Sequence, residues 1–373
     1  MPELSSKRTE FLSFQPPAIS EAEIEAVSET LRSGWLTTGP RTAELEARMR
    51  DYLEAEHVLA VSSCTAALHL SLVALGIGPG DEVITTSLTW PATANVIVHC
   101  GATPVFADIR PDTLNIDPER VRTLVNERTR AIVPVDLYGQ PADLDELVAL
   151  GLPIVEDAAH AAESRYRGRK IGAISDLTCF SLYATKNIAA GEGGLIATDR
   201  DDLAAALDDL RVMRRGHGSL YDIAVPGYKA NLSDVLSSIA LVQLDKVEEH
   251  AEIRTRQVAI YDEGLAGLGG LEAVARDTRD VHANHLYVVR VTFAGRDDVQ
   301  RALTDENIGT SIHFLPVHRL SAYRDRLAPG QPELPVTDQA GDEVLSLPLS
   351  PAHSDDDIRD AVAAIHRVHE RLS

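Results

Sequence analysis

The stretch that decides the fold reads Phe180-Ser-Leu-Tyr-Ala-Thr-Lys186-Asn-Ile-Ala-Ala-Gly-Glu-Gly-Gly194. It sets one lysine among small and hydroxyl-bearing residues, and apolar runs at residues 177–182 and 194–198 predict a strand on each side. A lysine amine becomes a nucleophile only when burial or nearby positive charge lowers its pKa. An isolated Thr-Lys-Asn is more often a surface loop. The interpretation of Lys186 therefore depends on the motifs that precede it.

Strand-like and helix-like segments alternate through the first two-thirds of the chain. Helices are predicted at residues 20–31, 43–53 and 202–213 and directly after Ser62; in the first, Ser20 and Glu23 form a capping box, with Ile24, Val27 and Leu31 on one face. Apolar runs predict strands at residues 57–61, 82–86, 104–107, 131–135 and 153–156. Strands separated by helices indicate an α/β fold whose mostly parallel central sheet is sandwiched by helices.

The pattern changes after Ser233. A long helix, broken or bent along its length, is predicted at residues 233–265, followed by a strand at 285–293, a helix at 297–307, a strand at 309–314, a loop at 328–335 and a closing helix at 355–372. We therefore predict a large domain at residues 1–248, which includes the N-terminal segment, and a smaller α+β domain at residues 249–373.

Composition narrows the class of protein. A formal net charge of −22 over 373 residues argues against a nucleic-acid binder and means that an anionic ligand needs a local site. The cysteines Cys64, Cys100 and Cys179 show no CxxC spacing, which fits a reduced compartment. No apolar leader and no run of about 20 apolar residues is visible. We expect a cytoplasmic protein that binds no membrane.

Small motifs at predicted strand ends suggest a cofactor. Asp157 ends an apolar strand, where a carboxylate can hold a protonated pyridine nitrogen, and His160 follows it. Trp90 lies at another strand-to-helix junction and could stack on a planar ring. The turn from Ser62 to Leu68, with Thr65 and Ala66, suits a phosphate at a helix N-terminus. Singly, these residues are explained equally well as a helix cap, a core histidine and a core tryptophan. Together, and with Ser181 and Lys186, they match pyridoxal 5′-phosphate (PLP).

In this order the motifs resemble the DegT/DnrJ/EryC1/StrS family of sugar aminotransferases, which are fold type I PLP enzymes. The segments that carry the resemblance are Gly34-Trp-Leu-Thr-Thr-Gly-Pro, Gly80-Asp-Glu-Val-Ile, Thr103-Pro-Val-Phe-Ala-Asp, Glu156-Asp-Ala-Ala-His, Phe180-Ser-Leu-Tyr-Ala-Thr-Lys-Asn, Gly227-Tyr-Lys-Ala-Asn-Leu-Ser-Asp and Leu345-Ser-Leu-Pro-Leu. The chain departs from the family at Ser63-Cys64, where many members have Asn-Gly, and at Ala230, where many have an aromatic residue.

The resemblance implies a role for each residue of the constellation. Lys186 would bond to the cofactor aldehyde, Asp157 would pair with the pyridine nitrogen, and Trp90 would stack on the ring. His160 would lie near the ring face or its phenolic oxygen. The phosphate would be held by Thr65, Ala66 and Ser181, and by Asn231 of the neighbouring subunit. The resemblance thus implies a homodimer with shared active sites.

The similarity is strongest to the branch that aminates C-4 of keto nucleotide-sugars. It implies transfer of the amino group of L-glutamate to the 4-keto group of a pentose or 6-deoxyhexose, for a secondary metabolite or a cell-surface glycan. Residues expected to line the substrate are Trp35, Thr38, His313, His318 and Tyr323.

Other functions remain open at this stage. They are a C-3 keto-sugar or keto-cyclitol aminotransferase and a non-catalytic PLP-binding regulatory protein. A sugar dehydratase relative should carry histidine in place of Lys186, and a Rossmann dehydrogenase should carry an early GxGxxG. The histidine pairs 282/285 and 313/318 lack a cysteine or carboxylate at ligand spacing, so no metal is expected.

Overall fold

The computed structural model describes residues 7–213, 223, 225–328 and 330–373. Its α-helices are α1 (Glu21–Ser33), α2 (Pro40–Leu53), α3 (Cys64–Ala74), α4 (Ala92–His99), α5 (Pro118–Leu124), α6 (Leu144–Val148), α7 (Asp201–Val212), α8 (Asp234–Asp245), α9 (Val247–Gly264), α10 (Arg296–Asp305), α11 (Pro335–Glu343) and α12 (Asp355–Leu372). Its strands are β1 (His57–Val61), β2 (Glu82–Thr86), β3 (Thr103–Ala107), β4 (Thr129–Val133), β5 (Val155–Asp157), β6 (Arg165–Tyr166), β7 (Arg169–Lys170), β8 (Leu177–Ser181), β9 (Gly194–Thr198), β10 (Leu271–Ala273), β11 (Tyr287–Val291) and β12 (Val344–Leu347).

The central sheet has the strand order β3-β2-β4-β5-β8-β9-β1. Strand β2 pairs in parallel with β3 and β4, and β5 pairs in parallel with β8. Parallel bridges from Ile132 to Ile154 and from Val135 to Asp157 join the two halves. Only β9 runs antiparallel to its neighbours β8 and β1. The prediction of a mostly parallel sheet is confirmed.

Side chains alternate along the strands between two apolar layers, one on each face of the sheet. Ile84 packs in a layer with residues of α2 and α8, whereas its neighbour Val83 packs in a layer with residues of α3, α4 and α7. Both faces of the sheet are thus covered by helices. Because the parallel strands run in the same direction, their carboxyl ends meet at one edge of the sheet. The candidate site lies at this edge.

The C-terminal part packs α9, α10 and α12 against the antiparallel sheet β10-β11-β12. The predicted long helix is two helices, because α8 ends at Asp245 and α9 begins at Val247. Leu12 bridges Ile308 and joins this core, so the N-terminal segment contacts the C-terminal part. A domain boundary at residue 248 stays a prediction.

The prediction of a strand at residues 309–314 is wrong. Residues 309–314 form no strand and make a single bridge, from Ser311 to Ser346. Gly309 lies so close to the backbone of Leu12 that an added Cβ would be 2.8 Å from its carbonyl oxygen. The segment is thus held by the N-terminal chain and by one bridge to β12, and it does not form a regular strand. Residues 328 and 330–334 lie outside helices and strands, in line with the predicted loop, and Pro335 begins α11, where its missing N–H costs nothing.

Helix α1 begins with the predicted capping box of Ser20 and Glu23. Its apolar stripe, however, faces away from the rest of the chain: Ile24 and Leu31 are each 53% exposed, while Glu23 and Thr30 are buried. The carboxylate of Glu23 can be buried because it accepts hydrogen bonds from Gln243 and Lys246. In the part of the chain that the structure describes, no helix is long and apolar enough to cross a membrane.

A buried carboxylate joins α2 to α8. Asp234, only 1% exposed, accepts hydrogen bonds from the backbone N–H of Gly39 (2.7 Å), Arg41 (3.0 Å) and Thr42 (3.0 Å) and from the Thr42 hydroxyl (2.7 Å). These N–H groups belong to the first turn of α2, which has no intrahelical partners for them. Asp234 therefore caps a helix that is distant in sequence.

We expect Asp234→Ala to lower the free energy of unfolding by roughly 3 kcal/mol, because it leaves several buried donors without an acceptor. Urea unfolding followed by circular dichroism measures the change. The control is Asp245→Ala in the same helix, which removes an exposed contact with Arg48 and should cost less than about 1 kcal/mol. Equal losses in the two variants would contradict the capping role.

Candidate active site

Lys186 lies in the segment that connects β8 to β9. This segment is closed by backbone hydrogen bonds from Leu182 N to Gly193 O (3.0 Å) and from Ala190 N to Leu182 O (2.8 Å). Gly193, at φ 150°, adopts a backbone conformation that favours glycine. Burial lowers the pKa of the Lys186 amine to about 8. A substantial fraction of the amine is therefore neutral near physiological pH, which a nucleophile requires.

Asp157 is the last residue of β5, at the carboxyl edge of the sheet, where the lysine segment begins after β8. Its carboxylate accepts a hydrogen bond from Thr93 Oγ1 (2.8 Å) and one from the N–H of Ala159 (3.2 Å). Burial raises the pKa of Asp157, while these two donors and the charge of Lys186 lower it. Cys64 Sγ lies 3.9 Å from Oδ1. The carboxyl group is thus held in place and shielded from water.

The predicted phosphate turn is the N-terminus of α3. Ser63 caps the helix, since its hydroxyl accepts from the N–H of Ala66 (3.0 Å). The N–H groups of Cys64 and Thr65 precede the first intrahelical bond and remain to bind a ligand. Ser181, at the end of β8, accepts from Tyr183 N (3.3 Å). The backbone N–H of Ala66 is therefore already bonded to Ser63, whereas the N–H of Thr65 is still available to a ligand.

Glycine at position 194 lets this turn approach the sheet. A Cβ at Gly194 would lie 2.5 Å from the carbonyl carbon of Ser63 and 2.6 Å from the nitrogen of Cys64. Any side chain would push the N-terminus of α3 away from β9. The glycine that follows the lysine motif is thus a direct part of the ligand cradle.

Three histidines crowd the lysine. His160 and His285 stack with ring centroids 4.4 Å apart, and His285 Nε2 lies 3.5 Å from Lys186 Nζ. Burial and the charge of Lys186 lower the pKa of His160 and of His285 well below the ordinary value, and that of His313 to about 4. All three are therefore neutral. Phe314 stacks on the other side of His160, with centroids 6.1 Å apart.

Trp90 lies at the open side of this cluster. Its side chain is 64% exposed, and its ring is 6.1 Å from that of Phe314, at an angle of 54°. An indole with so much free surface is unusual in a core and is available to a planar ligand. The structure thus brings together Lys186, Asp157, His160, Trp90 and His313 of the predicted residues.

A second cluster joins three other predicted residues. Trp35 donates its indole N–H to Thr38 O (3.1 Å), and the Thr38 hydroxyl accepts from the Asn231 amide (2.5 Å). Lys229 in turn donates to Asn231 Oδ1. Asn231 also bridges Val61, at the end of β1, so this cluster lies beside the turn that leads into α3.

His318 and Tyr323 lie elsewhere. His318 binds Ser87 through Nδ1 (2.7 Å) and Asp338 through Nε2 (3.0 Å), so both ring nitrogens are engaged. Tyr323 is 3% exposed and donates to Asn95 Oδ1 (2.6 Å). Among the described residues, no hydrogen bond or ring contact joins either side chain to Lys186. Their assignment to the substrate remains a prediction without a supporting contact.

Sequence reasoning missed His285, Asn187 and Thr93. His285 was considered only as a metal ligand, although it hydrogen-bonds Asn187 (2.9 Å), the residue after the lysine. No role was predicted for Thr93, although it donates a hydrogen bond to Asp157. The signal at Thr93 was a hydroxyl between two alanines, since buried polar groups need partners, whereas His285 follows His282 and Asn284 and carries no such signal.

We expect Gly194→Ala to destabilise the protein by about 2 kcal/mol, because the added methyl group overlaps backbone atoms that cannot move independently. Urea unfolding gives the change. Gly78→Ala is the matched control, since Gly78 has open space around its Cβ position and no left-handed φ. If the two variants unfolded at the same urea concentration, the close approach of α3 to β9 would be refuted.

Comparison with known proteins finds relatives that match this chain over nearly its whole length. The model of the DegT/DnrJ/EryC1/StrS aminotransferase family matches residues 17–366. The spore coat polysaccharide biosynthesis protein SpsC of Bacillus subtilis is 43% identical, over 97% of this chain and 98% of SpsC. Spr1654 of Streptococcus pneumoniae, assigned as a sugar aminotransferase and solved in its PLP form, superposes with a TM-score of 0.92 at 33% identity, over 97% of this chain and 100% of that one.

DesI, solved in the presence of its TDP-sugar product, superposes with a TM-score of 0.89 at 33% identity, over 99% of this chain and 95% of DesI. The predicted α/β fold of type I PLP enzymes is thereby confirmed. The chain belongs to the DegT/DnrJ/EryC1/StrS aminotransferase family.

Proposed function

We propose that the protein uses PLP to transfer the amino group of L-glutamate to a keto nucleotide-sugar, at the 4-keto position of a pentose or 6-deoxyhexose. The observation that carries the proposal is the buried Lys186 amine, with its pKa lowered to about 8, beside the buried carboxyl of Asp157. The PLP form of Spr1654 and the TDP-sugar product of DesI support the cofactor and the class of substrate.

The residues present fit PLP. When bound, the cofactor supplies an aldehyde for attachment and an electron-withdrawing ring. The carboxyl of Asp157 is fixed by Thr93 and Ala159 and suits a pyridinium nitrogen. The N–H groups at the start of α3 suit the phosphate, which the negative charge of the whole chain would otherwise disfavour. Gly194 keeps these groups within reach of the lysine segment.

Lys186 performs the proton transfers in this proposal. A neutral amine at Nζ can take a proton from the amino donor and return it to the sugar carbon. Its lowered pKa keeps that amine partly neutral near pH 8. Trp90 presents an exposed aromatic face that would orient a planar ring, and His160 would lie beside that ring. The neighbouring histidines are neutral and do not compete for the proton on Nζ.

The substrate side of the proposal rests on three residues. His313 faces Lys186 and hydrogen-bonds Ser346 (2.8 Å), while Trp35 and Thr38 are tied to Asn231 in the second cluster. His313 lies in a segment that is similar to the branch that aminates C-4, whereas Trp35 and Thr38 lie in a segment that the resemblance relates to the family as a whole. A cytoplasmic location, expected from the sparse cysteines, also remains part of the proposal.

We further propose a homodimer that shares its active sites. The stripe of α1 exposes Ile24 and Leu31, and the following residues Trp35 and Leu36 are 53% and 51% exposed. A second copy of the chain would bury these apolar side chains. Because Trp35 belongs to the cluster of Asn231, that contact would bring Asn231 to the partner's phosphate site.

A panel of keto nucleotide-sugars tests the reaction. With L-glutamate as donor, we expect an amine at C-4 of a pentose or 6-deoxyhexose, located by NMR of the product, with 2-oxoglutarate formed in equal amount. Amination at C-3, or of a keto-cyclitol only, would replace the C-4 proposal. Failure to transfer nitrogen from glutamate to any member of the panel would contradict the function.

Complementation between two inactive variants tests the shared site. We expect Lys186→Ala to abolish amino transfer and Asn231→Ala to reduce it at least about tenfold. Co-expression of the two chains should restore about a quarter of wild-type activity, since half of the dimers are mixed and one of their two sites is intact.

The control is the double variant Lys186→Ala/Asn231→Ala co-expressed with the wild-type chain. Its mixed dimers carry one damaged residue in each site, so they should be nearly inactive. Restoration no greater than the sum of the separate variants, or a monomer in light scattering, would show that Asn231 serves its own subunit.

A further inference from the structure

A chain of buried polar side chains leads away from Lys186. Lys186 Nζ is 3.5 Å from His285 Nε2, and His285 Nδ1 is 2.9 Å from Asn187 Oδ1. The Asn187 amide donates to Glu163 (2.9 Å), and the other oxygen of Glu163 accepts from Arg254. The exposed fractions of His285, Asn187, Glu163 and Arg254 lie between 2% and 7%. The chain is therefore sealed from solvent, and its hydrogen bonds fix one another.

These contacts determine where the proton of His285 lies. The Asn187 nitrogen also donates to the carbonyl oxygen of Ala283 (3.0 Å), which can only accept. The amide orientation is therefore fixed, and Asn187 Oδ1 must face His285 as an acceptor. His285 Nδ1 consequently carries the hydrogen. In a neutral imidazole the other nitrogen, Nε2, is then left with a lone pair, and this lone pair faces Lys186.

The charges around the lysine keep His285 neutral. Burial lowers the pKa of His285 well below its usual value, and the positive charges of Lys186 and Arg254 lower it further. The titratable groups that face Lys186 are Asp157, Cys64, His160, His285 and His313. Of these, the structure shows only His285 within hydrogen-bond distance of Nζ.

We propose that His285 is a positioning residue, which accepts a hydrogen bond from Lys186 Nζ at a lone pair that Asn187 and Glu163 hold in place. The bond restricts rotation of the amine, so that its own lone pair keeps one direction when Lys186 moves protons. The catalytic part of this role rests on the proposed function. The hydrogen bond itself does not, because it joins two side chains of this chain.

A purely structural role explains the polar chain less well. The Glu163–Arg254 pair is almost fully buried, and such pairs seldom stabilise a protein more than apolar side chains of the same size. What the network does provide is a single, defined tautomer of His285. Metal-binding histidines are held by second partners in the same way, where a carboxylate or amide fixes one nitrogen and leaves the other free for its ligand.

Two substitutions at one position separate the roles. His285→Phe keeps a ring that can stack on His160 but removes the acceptor, whereas His285→Gln keeps a polar atom near the position of Nε2. The measurement is the pH dependence of Lys186 acylation in the cofactor-free protein, followed by peptide mass spectrometry. Lys170, a second buried lysine whose pKa is lowered to about 8, is the internal reference.

In the wild type, acylation of Lys186 should rise with a midpoint near pH 8. Without the acceptor, the ammonium form loses its partner, so the pKa of Lys186 should fall further. We expect the midpoint of His285→Phe to drop by about half a pH unit, which corresponds to an about threefold higher labelling rate at pH 7. His285→Gln should stay within about twofold of the wild-type rate, and Lys170 should be unchanged in both.

Wild-type labelling in both variants would overturn the proposal, and equal changes in both would assign the effect to loss of the ring. If His285→Phe fails to fold, His285→Asn replaces it, because the shorter amide cannot reach the position of Nε2. With substrates, His285→Phe should lower kcat about tenfold or more and leave KM for the keto sugar within about threefold. If the wild type transfers no amino group, the proposed function fails, while the labelling experiment still decides the role of His285.

Discussion

Desolvation of the Lys186 amine is the constraint on which the rest of the site depends. Burial lowers the pKa of the amine to about 8, and the same burial raises the pKa of Asp157. A lysine and a carboxyl group that are both desolvated can keep their function only if each is held by specific partners. Asp157 is held by Thr93, and Lys186 by the neutral imidazole of His285. A charged histidine at that position would repel the ammonium, so neutrality of the imidazoles belongs to the same constraint.

Much of the fold could be predicted because it follows from local sequence patterns. The parallel strands are short apolar runs, and the caps of α1 and α12 are spelled out by Ser20 with Glu23 and Ser354 with Asp357, although only the first was predicted. The failures are positions where a distant segment decides. Residues 309–314 look like a strand but are fixed by the backbone of Leu12. The hydrophobic periodicity of one segment carries no information about which distant segment packs against it.

The site was predictable in part for a related reason. The end of a parallel strand identifies its own edge of the sheet, so the positions of Asp157 and Trp90 in the sequence predicted that both lie at this edge. His285 comes from the C-terminal part and Asn187 from the lysine segment, and nothing in the sequence states that they meet. His318 resembled a ligand residue in its motif, yet Ser87 and Asp338 occupy both of its nitrogens. Side-chain chemistry can be read from sequence, whereas pairing across the fold cannot.

A pair of buried carboxyl groups next to Asp157 influences the charge of Asp157. Asp136 and Glu156 are both fully buried, and within the described part of the chain no donor reaches Asp136 Oδ2 or Glu156 Oε1. Burial and the charge of Glu156 raise the pKa of Asp136 well above its usual value, and burial also raises the pKa of Glu156, which favours a proton shared between the two carboxyl groups. The N–H of Asp136 donates to the carbonyl oxygen of Asp157 (3.0 Å), which places the pair directly beside the site. Two ionised carboxylates there would oppose a negative charge on Asp157. A shared proton removes one of those charges, and it thereby favours the ionised form of the carboxyl that faces Lys186.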